Sequence, residues 1–255
     1  MNGHQEEFVK ILEKINPSKS THEVFSDWLV MASAALYSFK KDASVEKQYA
    51  DTAAGYTKED LDGHSHLIAV LVEALERKKQ DFLGEVFAQA NLTNERNGQF
   101  FTPYNISLMS AQLILDKNDL PQDRLCRIND PTCGSGGMLV AATEVLEDHG
   151  FDYQKNAFFT GQDIDARCAR MAFIQLSLLG VPAVIYCMNS LTQEEYWHRE
   201  TIGYHLAGME FRLRAERLRD RTESLGQAES QRKLEALPEP ARQAVKTAQL
   251  QGELF

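Results

Sequence analysis

One stretch constrains this chain more than any other: Asn129-Asp130-Pro131-Thr132-Cys133-Gly134-Ser135-Gly136-Gly137-Met138-Leu139. A short apolar approach, Leu125 to Ile128, leads into it, and a helix-like run from Met138 to Leu146 leads out. That is the pattern of a strand, a glycine turn and a helix start. Glycine lets a backbone adopt positive φ and pass close to a ligand. The first N–H groups of the following helix then face whatever fills the turn. The pattern predicts a nucleoside or an amino-acid nucleoside in that place. The spacing is G-x-G-G, not the G-x-G-x-x-G of dinucleotide-binding turns. Asp130, just ahead of the turn, would repel a pyrophosphate but suits a ligand with a positive amine or sulfonium. Taken alone, Asp-Pro and the glycines could also form nothing more than a tight turn.

Two flanking segments add to the pattern. Downstream, Ala157 to Asp165 reads as a second strand ending in acid, and a carboxylate at such a strand end can accept ribose hydroxyls. Asp163 by itself could also be a surface acid. Ala166 to Leu179 follows as an amphipathic helix, stopped by Gly180 and Pro182. Val181 to Met188 is a third strand, with Asn189 and Ser190 at its end. Upstream, Gly98-Gln99-Phe100-Phe101-Thr102-Pro103 precedes a helical run, Ile106 to Leu115. Thr102 is expected to cap that helix and Pro103 to open it. Phe100 and Phe101 supply either an apolar wall or part of a core.

These segments, in this order, resemble the N6-adenine DNA methyltransferases, in particular the modification subunits of type I restriction systems. Asp-Pro-Thr-Cys-Gly-Ser-Gly-Gly is similar to their S-adenosyl-L-methionine (SAM) loop. Gly98 to Pro103 looks like the segment that closes over the methionine end of SAM, and Leu83-Gly84-Glu85-Val86-Phe87 is similar to its lead-in. The resemblance covers about Phe82 to Thr192. It implies an α/β fold with a partial, Rossmann-like SAM-dependent methyltransferase sheet. It also implies that Phe101, Thr102 and Pro103 lie near the methionine end, that Asp130, Gly134, Ser135, Gly136 and Gly137 cradle the cofactor, and that Asp163 holds the ribose. Ile164 would pack on the adenine. Asn189 stands where the family usually has an acid contacting the adenine amine, which its carbonyl oxygen could accept without the charge.

The resemblance is incomplete. The family holds its target amine with an Asn/Asp-Pro-Pro-aromatic segment, whose ring stacks on a flipped base. No two prolines are adjacent in this chain, and Asn16-Pro17-Ser18-Lys19 lacks the second proline and the aromatic. No strand is expected after Thr192. The chain therefore reads as a cofactor half without a substrate half, with no catalytic residue assigned and catalysis by this polypeptide alone not expected. Two readings follow. One is a SAM-binding subunit of a DNA modification system, with a partner chain completing the site. The other is a non-catalytic interaction or regulatory protein that keeps the fold as a scaffold. A nicotinamide oxidoreductase disagrees with the glycine spacing and with Asp130.

Three regions are expected: residues 1–93 helical, 94–196 the truncated α/β domain, and 197–255 a charged helical extension. Phe8, Ile11, Leu12 and Ile15 form one helical stripe, and Val24 to Phe39 a broader one suited to burial on most sides. His22, His64 and His66 have no metal-like spacing, and surface or capping roles are expected for them. No metal site is expected anywhere. Cys126, Cys133, Cys168 and Cys187 are scattered, which fits a reducing compartment, and nothing reads as a signal peptide or membrane span. The expected location is therefore cytoplasmic. The formal net charge is −10, and from Arg199 onward ten basic residues nearly balance nine acidic ones, so the body is acidic. Duplex binding draws on basic surface, so contact with DNA is expected through a partner subunit. Five arginines lie between Glu210 and Arg221; they could meet phosphates or form a solvated helix with the interleaved acids. The terminal Gln251-Gly252-Glu253-Leu254-Phe255 resembles the peptide by which bacterial proteins dock on a sliding clamp, through Gln251, Leu254 and Phe255; Gly252 departs from the usual leucine.

Overall fold

Side-chain caps set where the N-terminal helices begin. The computed structural model describes residues 3–89, 102–121, 124–208 and 211–214. Helix α1 (Gly3–Leu12) is followed by α2 (Thr21–Tyr37), α3 (Ala43–Ala53), α4 (Lys58–Arg77) and α5 (Phe82–Gln89). Ser20 and Glu23 form a capping box on α2, Thr57 and Asp60 form one on α4, and Asp42 caps α3. Each cap occupies backbone N–H groups that the helix itself cannot satisfy. The apolar stripes then converge. The rings of Phe8, Phe25, Trp28, Phe82 and Phe87 meet with centroids 5.1 to 6.4 Å apart. The Trp28 indole N–H donates to the His64 carbonyl at 3.1 Å. His64 lies on α4 with only 5% of its surface exposed, its ring edge-on to Tyr56, so the expected surface role is overturned. Its position on the inner face of α4, beside Leu67 and Leu71, explains the burial.

The second layer is a four-stranded sheet in the order β1-β2-β3-β4. Strands β1 (Cys126–Asp130), β2 (Ala157–Asp163) and β3 (Ala183–Asn189) are parallel. Between them run α6 (Tyr104–Ile114, before β1), α7 (Gly137–Asp148), the short α8 (Tyr153–Asn156) and α9 (Ala166–Leu178). Strands alternating with helices dictate such a parallel sheet, and β3 is buried along almost its whole length, as a helix-covered strand must be. Residues 1–208 form one compact unit, in which the N-terminal helices and the sheet share a single apolar core. Among the described residues no helix is long and apolar enough to cross a membrane.

Strand β4 (Glu194–Glu200) corrects the expectation that no strand follows Thr192; it runs antiparallel to β3, and the short α10 (Ile202–Leu206) comes after it. A tight reversal at 190–193 makes the pairing: the Asn189 carboxamide oxygen accepts the N–H groups of Leu191 and Thr192, and Gln193 N–H donates to the Asn189 carbonyl. At the far end Thr201 N–H donates to the Ala183 carbonyl, and the Thr201 hydroxyl accepts from Ala183 N–H, both at 2.9 Å. The strand is anchored by Arg199, whose guanidinium is buried against the rings of Tyr37, Phe173 and Trp197 and donates to Ser33 Oγ at 2.7 Å. A cation sheltered among aromatic faces is an arrangement a hydropathy pattern does not register.

Candidate cofactor site

The glycine turn is built from three separate attachments. The first is to β2: Cys133 N–H donates to the Gln162 carbonyl at 2.8 Å, and Gly134 N–H to Asp163 Oδ2 at 2.9 Å. The second is to β3, where the Ser190 hydroxyl donates to the Pro131 carbonyl. Together these fold the turn across the C-terminal ends of the parallel strands, the edge at which ligands bind in open α/β sheets. The third attachment is internal: Gly136 N–H donates to the Cys133 carbonyl at 2.8 Å. Gly134 and Gly136 take positive φ of +54° and +90°, and Gly136 is the residue from which α7 departs. No side chain caps α7, so its leading N–H groups are not taken by a cap from the protein.

Asp130 and Asp163 terminate neighbouring strands, and each is partly buried. Asp130 Oδ1 accepts Thr132 N–H at 3.1 Å. Asp163 accepts Gly134 N–H on one oxygen and Asp165 N–H on the other, the latter at 2.8 Å. Among the described residues neither carboxylate forms a salt bridge. Burial pushes the Asp130 carboxyl above its ordinary range, with the Thr132 N–H opposing. Burial does the same to Asp163, opposed by its two backbone donors and reinforced by Asp165 and Asp130. Two neighbouring acids raised by burial, Asp163 also by the charge of Asp130, form a place that a cation would stabilise.

The remaining expected site residues divide. Ile164 follows Asp163 and is 60% exposed, free of the core. The Asn189 carboxamide oxygen, expected to face an adenine amine, is turned into the 190–193 reversal instead. Thr102 and Pro103 are exposed; Pro103, with ψ of 138°, is the residue flanking α6, and no side chain caps that helix. Thr102 is therefore not the cap, because the extended Pro103 moves the helix start on to Tyr104. That end of α6 is fixed to α7 by the Tyr104 hydroxyl, which donates to Glu144 Oε2 at 2.6 Å. Phe100, Phe101, Gln251, Leu254 and Phe255 lie outside the described residues.

Ser135, Gly136 and Gly137 face inward. The Ser135 hydroxyl donates to Asp81, a carboxylate only 3% exposed. A Cβ on Gly137 would lie 2.6 Å from Asp81 Oδ2, and one on Gly136 would lie 3.1 Å from Ala172 Cβ. Close packing of the turn against the helices behind it thus demands these two glycines as firmly as any ligand would. Asp81 also accepts Gly84 N–H at 3.0 Å and the Gln175 amide at 2.9 Å. Sequence reasoning missed Asp81 and Gln175. The one available signal was an Asp immediately before an apolar helical run, the ordinary mark of an N-cap.

Cys133 is buried within the turn, and burial pushes its thiol well above the ordinary range. It fills space beside Gly161, where an added Cβ would lie 3.1 Å from its sulfur.

Comparison with known proteins identifies the family. Residues 78–229, more than half the chain, match the model of the N-6 DNA Methylase family. The methylase subunit of the type I restriction enzyme MjaIX from Methanocaldococcus jannaschii is 28% identical over 151 residues, which is 55% of this chain and 26% of that protein. The MjaVII methylase subunit of the same organism is 28% identical over 121 residues, or 46% of this chain and 19% of its own length. The chain thus spans about a quarter or less of the curated relatives it matches. A type I restriction-modification methyltransferase subunit from Streptococcus thermophilus superposes with a TM-score of 0.34 at 12% identity, covering 70% of this chain and 55% of that one. With the strand–glycine turn–helix unit inside the matched residues and the order of β1, β2 and β3 around it, this chain belongs to the N-6 DNA methylase family.

Proposed function

We propose that the chain binds S-adenosyl-L-methionine and serves as the cofactor-holding part of a DNA adenine-N6 methylase. The observation that carries this reading is the pair Asp130 and Asp163: two partly buried carboxylates at adjoining strand ends, without a salt-bridge partner among the described residues. SAM brings an amine, a sulfonium and two ribose hydroxyls, and its sulfonium supplies an electrophilic methyl group. Asp163 keeps acceptor positions beyond the two it uses, since an ionised carboxylate has about four. Its mooring to Gly134 and Asp165 holds those positions in place for the ribose. Asp130 offers negative charge at the mouth of the turn, Gly134 gives close backbone approach, and Ile164 offers an exposed apolar surface for the adenine ring.

The adenine-holding Asn/Asp-Pro-Pro-aromatic segment has no counterpart in this sequence. Groups that grip a target base therefore come from polypeptide other than these 255 residues. The acidic net charge points the same way, with a more basic partner meeting the phosphates. In a type I restriction-modification assembly, such a partner would be another subunit.

Titration calorimetry with SAM tests the proposal, followed by methyl transfer to DNA of mixed adenine-containing sequence. Binding by the chain and its loss in Asp163→Ala support the reading. Absence of SAM binding by the folded protein refutes it. Transfer by the purified chain alone would refute the need for a partner. A second reading, a non-catalytic interaction protein, draws on one observation: the Asn189 carboxamide oxygen and the Ser135 hydroxyl are already engaged within the protein. A folded chain without SAM affinity favours it.

A further inference from the structure

We infer that Asp81 is a positioning residue for the cofactor turn, setting the turn's shape from behind without touching the ligand. The inference rests on the SAM-binding reading above. In Gly134-Ser135-Gly136-Gly137, Ser135 alone has a side chain, and it lies between two backbone positions of positive φ. Glycine-rich backbone loses the most freedom on ordering. Something must hold it, and Ser135 is the one handle.

Both ends of that handle are gripped. The Ser135 hydroxyl donates to Asp81 Oδ2, and the Ser135 carbonyl accepts the Gln175 amide at 2.9 Å. The same Gln175 amide donates to Asp81 Oδ1, and the Gln175 oxygen accepts Leu83 N–H at 3.0 Å. Asp81, Ser135 and Gln175 therefore close a ring, with Gly84 N–H as a third donor to Asp81. The ring joins residues 54 and 94 positions apart from Asp81. It ties the start of α5 to α9 and to the turn. The carboxylate sits in a slot that two glycines keep open: an added Cβ would lie 2.2 Å from Asp81 Oδ2 at Gly84, and 2.6 Å from it at Gly137.

A buried carboxylate that accepts these three bonds, with no cation paired to it among the described residues, is costly in a core. A leucine or methionine would fill the volume, but neither could hold the Ser135 hydroxyl. The geometry assigns Asp81 to keeping that hydroxyl, and with it the turn, in a single conformation.

Amide hydrogen exchange and SAM calorimetry on wild type, Asp81→Asn, Ser135→Ala and the double variant test the assignment. Asp81→Asn keeps the volume and removes one acceptor oxygen. Ser135→Ala removes the handle and leaves the carboxylate its other two donors. Each single variant is expected to speed exchange at the amides of residues 134–137 by about tenfold and to weaken SAM by a similar factor. Protection along Ala183–Asn189 should stay unchanged, and the double variant should be no worse than the more affected single one. A purely structural role would instead lower global stability and leave the exchange of the turn in step with that of β3. Turn amides as well protected in both single variants as in wild type overturn the assignment, as does a double-variant loss equal to the sum of the singles. A wild-type chain that takes up no SAM overturns the cofactor reading alone, because exchange at 134–137 still decides whether Asp81 holds the turn.

Discussion

Lowering the pH should unlock the N-terminal helices at His64. Its two ring nitrogens are buried without a hydrogen-bond partner, and its ring packs edge-on to Tyr56 at 4.6 Å. Burial depresses its pKa from 6.5 to about 4, with Asp27 and Asp60 opposing and Lys19 assisting. The folded protein thus holds His64 neutral where the unfolded chain would protonate it. The sign follows: this contribution is complete above pH 6.5 and is lost as pH falls toward 4. Between pH 7 and pH 5 the linkage relation converts that shift into a loss of about 2 kcal/mol. Urea denaturation of wild type and His64→Leu at pH 7, 6 and 5 measures it. The leucine variant carries a packing change that is the same at every pH, so only the difference in slope matters. Wild type should lose about 2 kcal/mol more than the variant over this range. Parallel pH profiles for the two proteins would refute the reasoning, because they would mean that the ring finds a partner or water when charged.

Other perturbations should be as specific. Gly84→Ala drives a methyl group into the Asp81 carboxylate, and overpacking of this kind costs about 1–3 kcal/mol; thermal melting should show a clear drop. Ser33→Ala removes the acceptor of the buried Arg199 guanidinium and should cost about 1.5–3 kcal/mol in denaturant titration, whereas Arg199→Met should cost less because it removes the buried charge as well. Alkylation at pH 8 should modify Cys126 first. Cys133, Cys168 and Cys187 are buried, with thiols held above the ordinary range by burial, and should react only on unfolding, as mass spectrometry would show.

The glycine turn, its two flanking strands and the helix after Asp165 were legible because each rests on local chemistry: an apolar run, a glycine break, a 3.6-residue period. Expected and observed bounds differ by a residue or two at Cys126, Gly137 and Ala183. What escaped depends on contacts between distant residues. Strand β4 reads Glu-Glu-Tyr-Trp-His-Arg-Glu, with no alternation to betray it, and is held by Asn189, Thr201 and the aromatic surroundings of Arg199. The burial of His64 was hidden because a lone histidine on an apolar stripe looks the same as one beside it. In the sequence Asp81 is only an acid ahead of an apolar helical run and drew no reading; its bonds to Ser135 and Gln175 exist only once α9 has packed. In the candidate site, the positions of Asp130 and Asp163 followed from strand ends, while the inward turn of Asn189 followed from a reversal that sequence spacing did not foretell.

The ring contact between Phe8 of α1 and Phe82 of α5, and the bond from Leu83 to Gln175 on α9, have a practical consequence for anyone who wishes to dissect this protein. Cutting between helices and sheet leaves two sticky fragments, each with half of a greasy seam open to water. The segment up to Gly208 should melt as a single cooperative block, and a shortened version lacking its first helices should precipitate rather than survive as a miniature cofactor module.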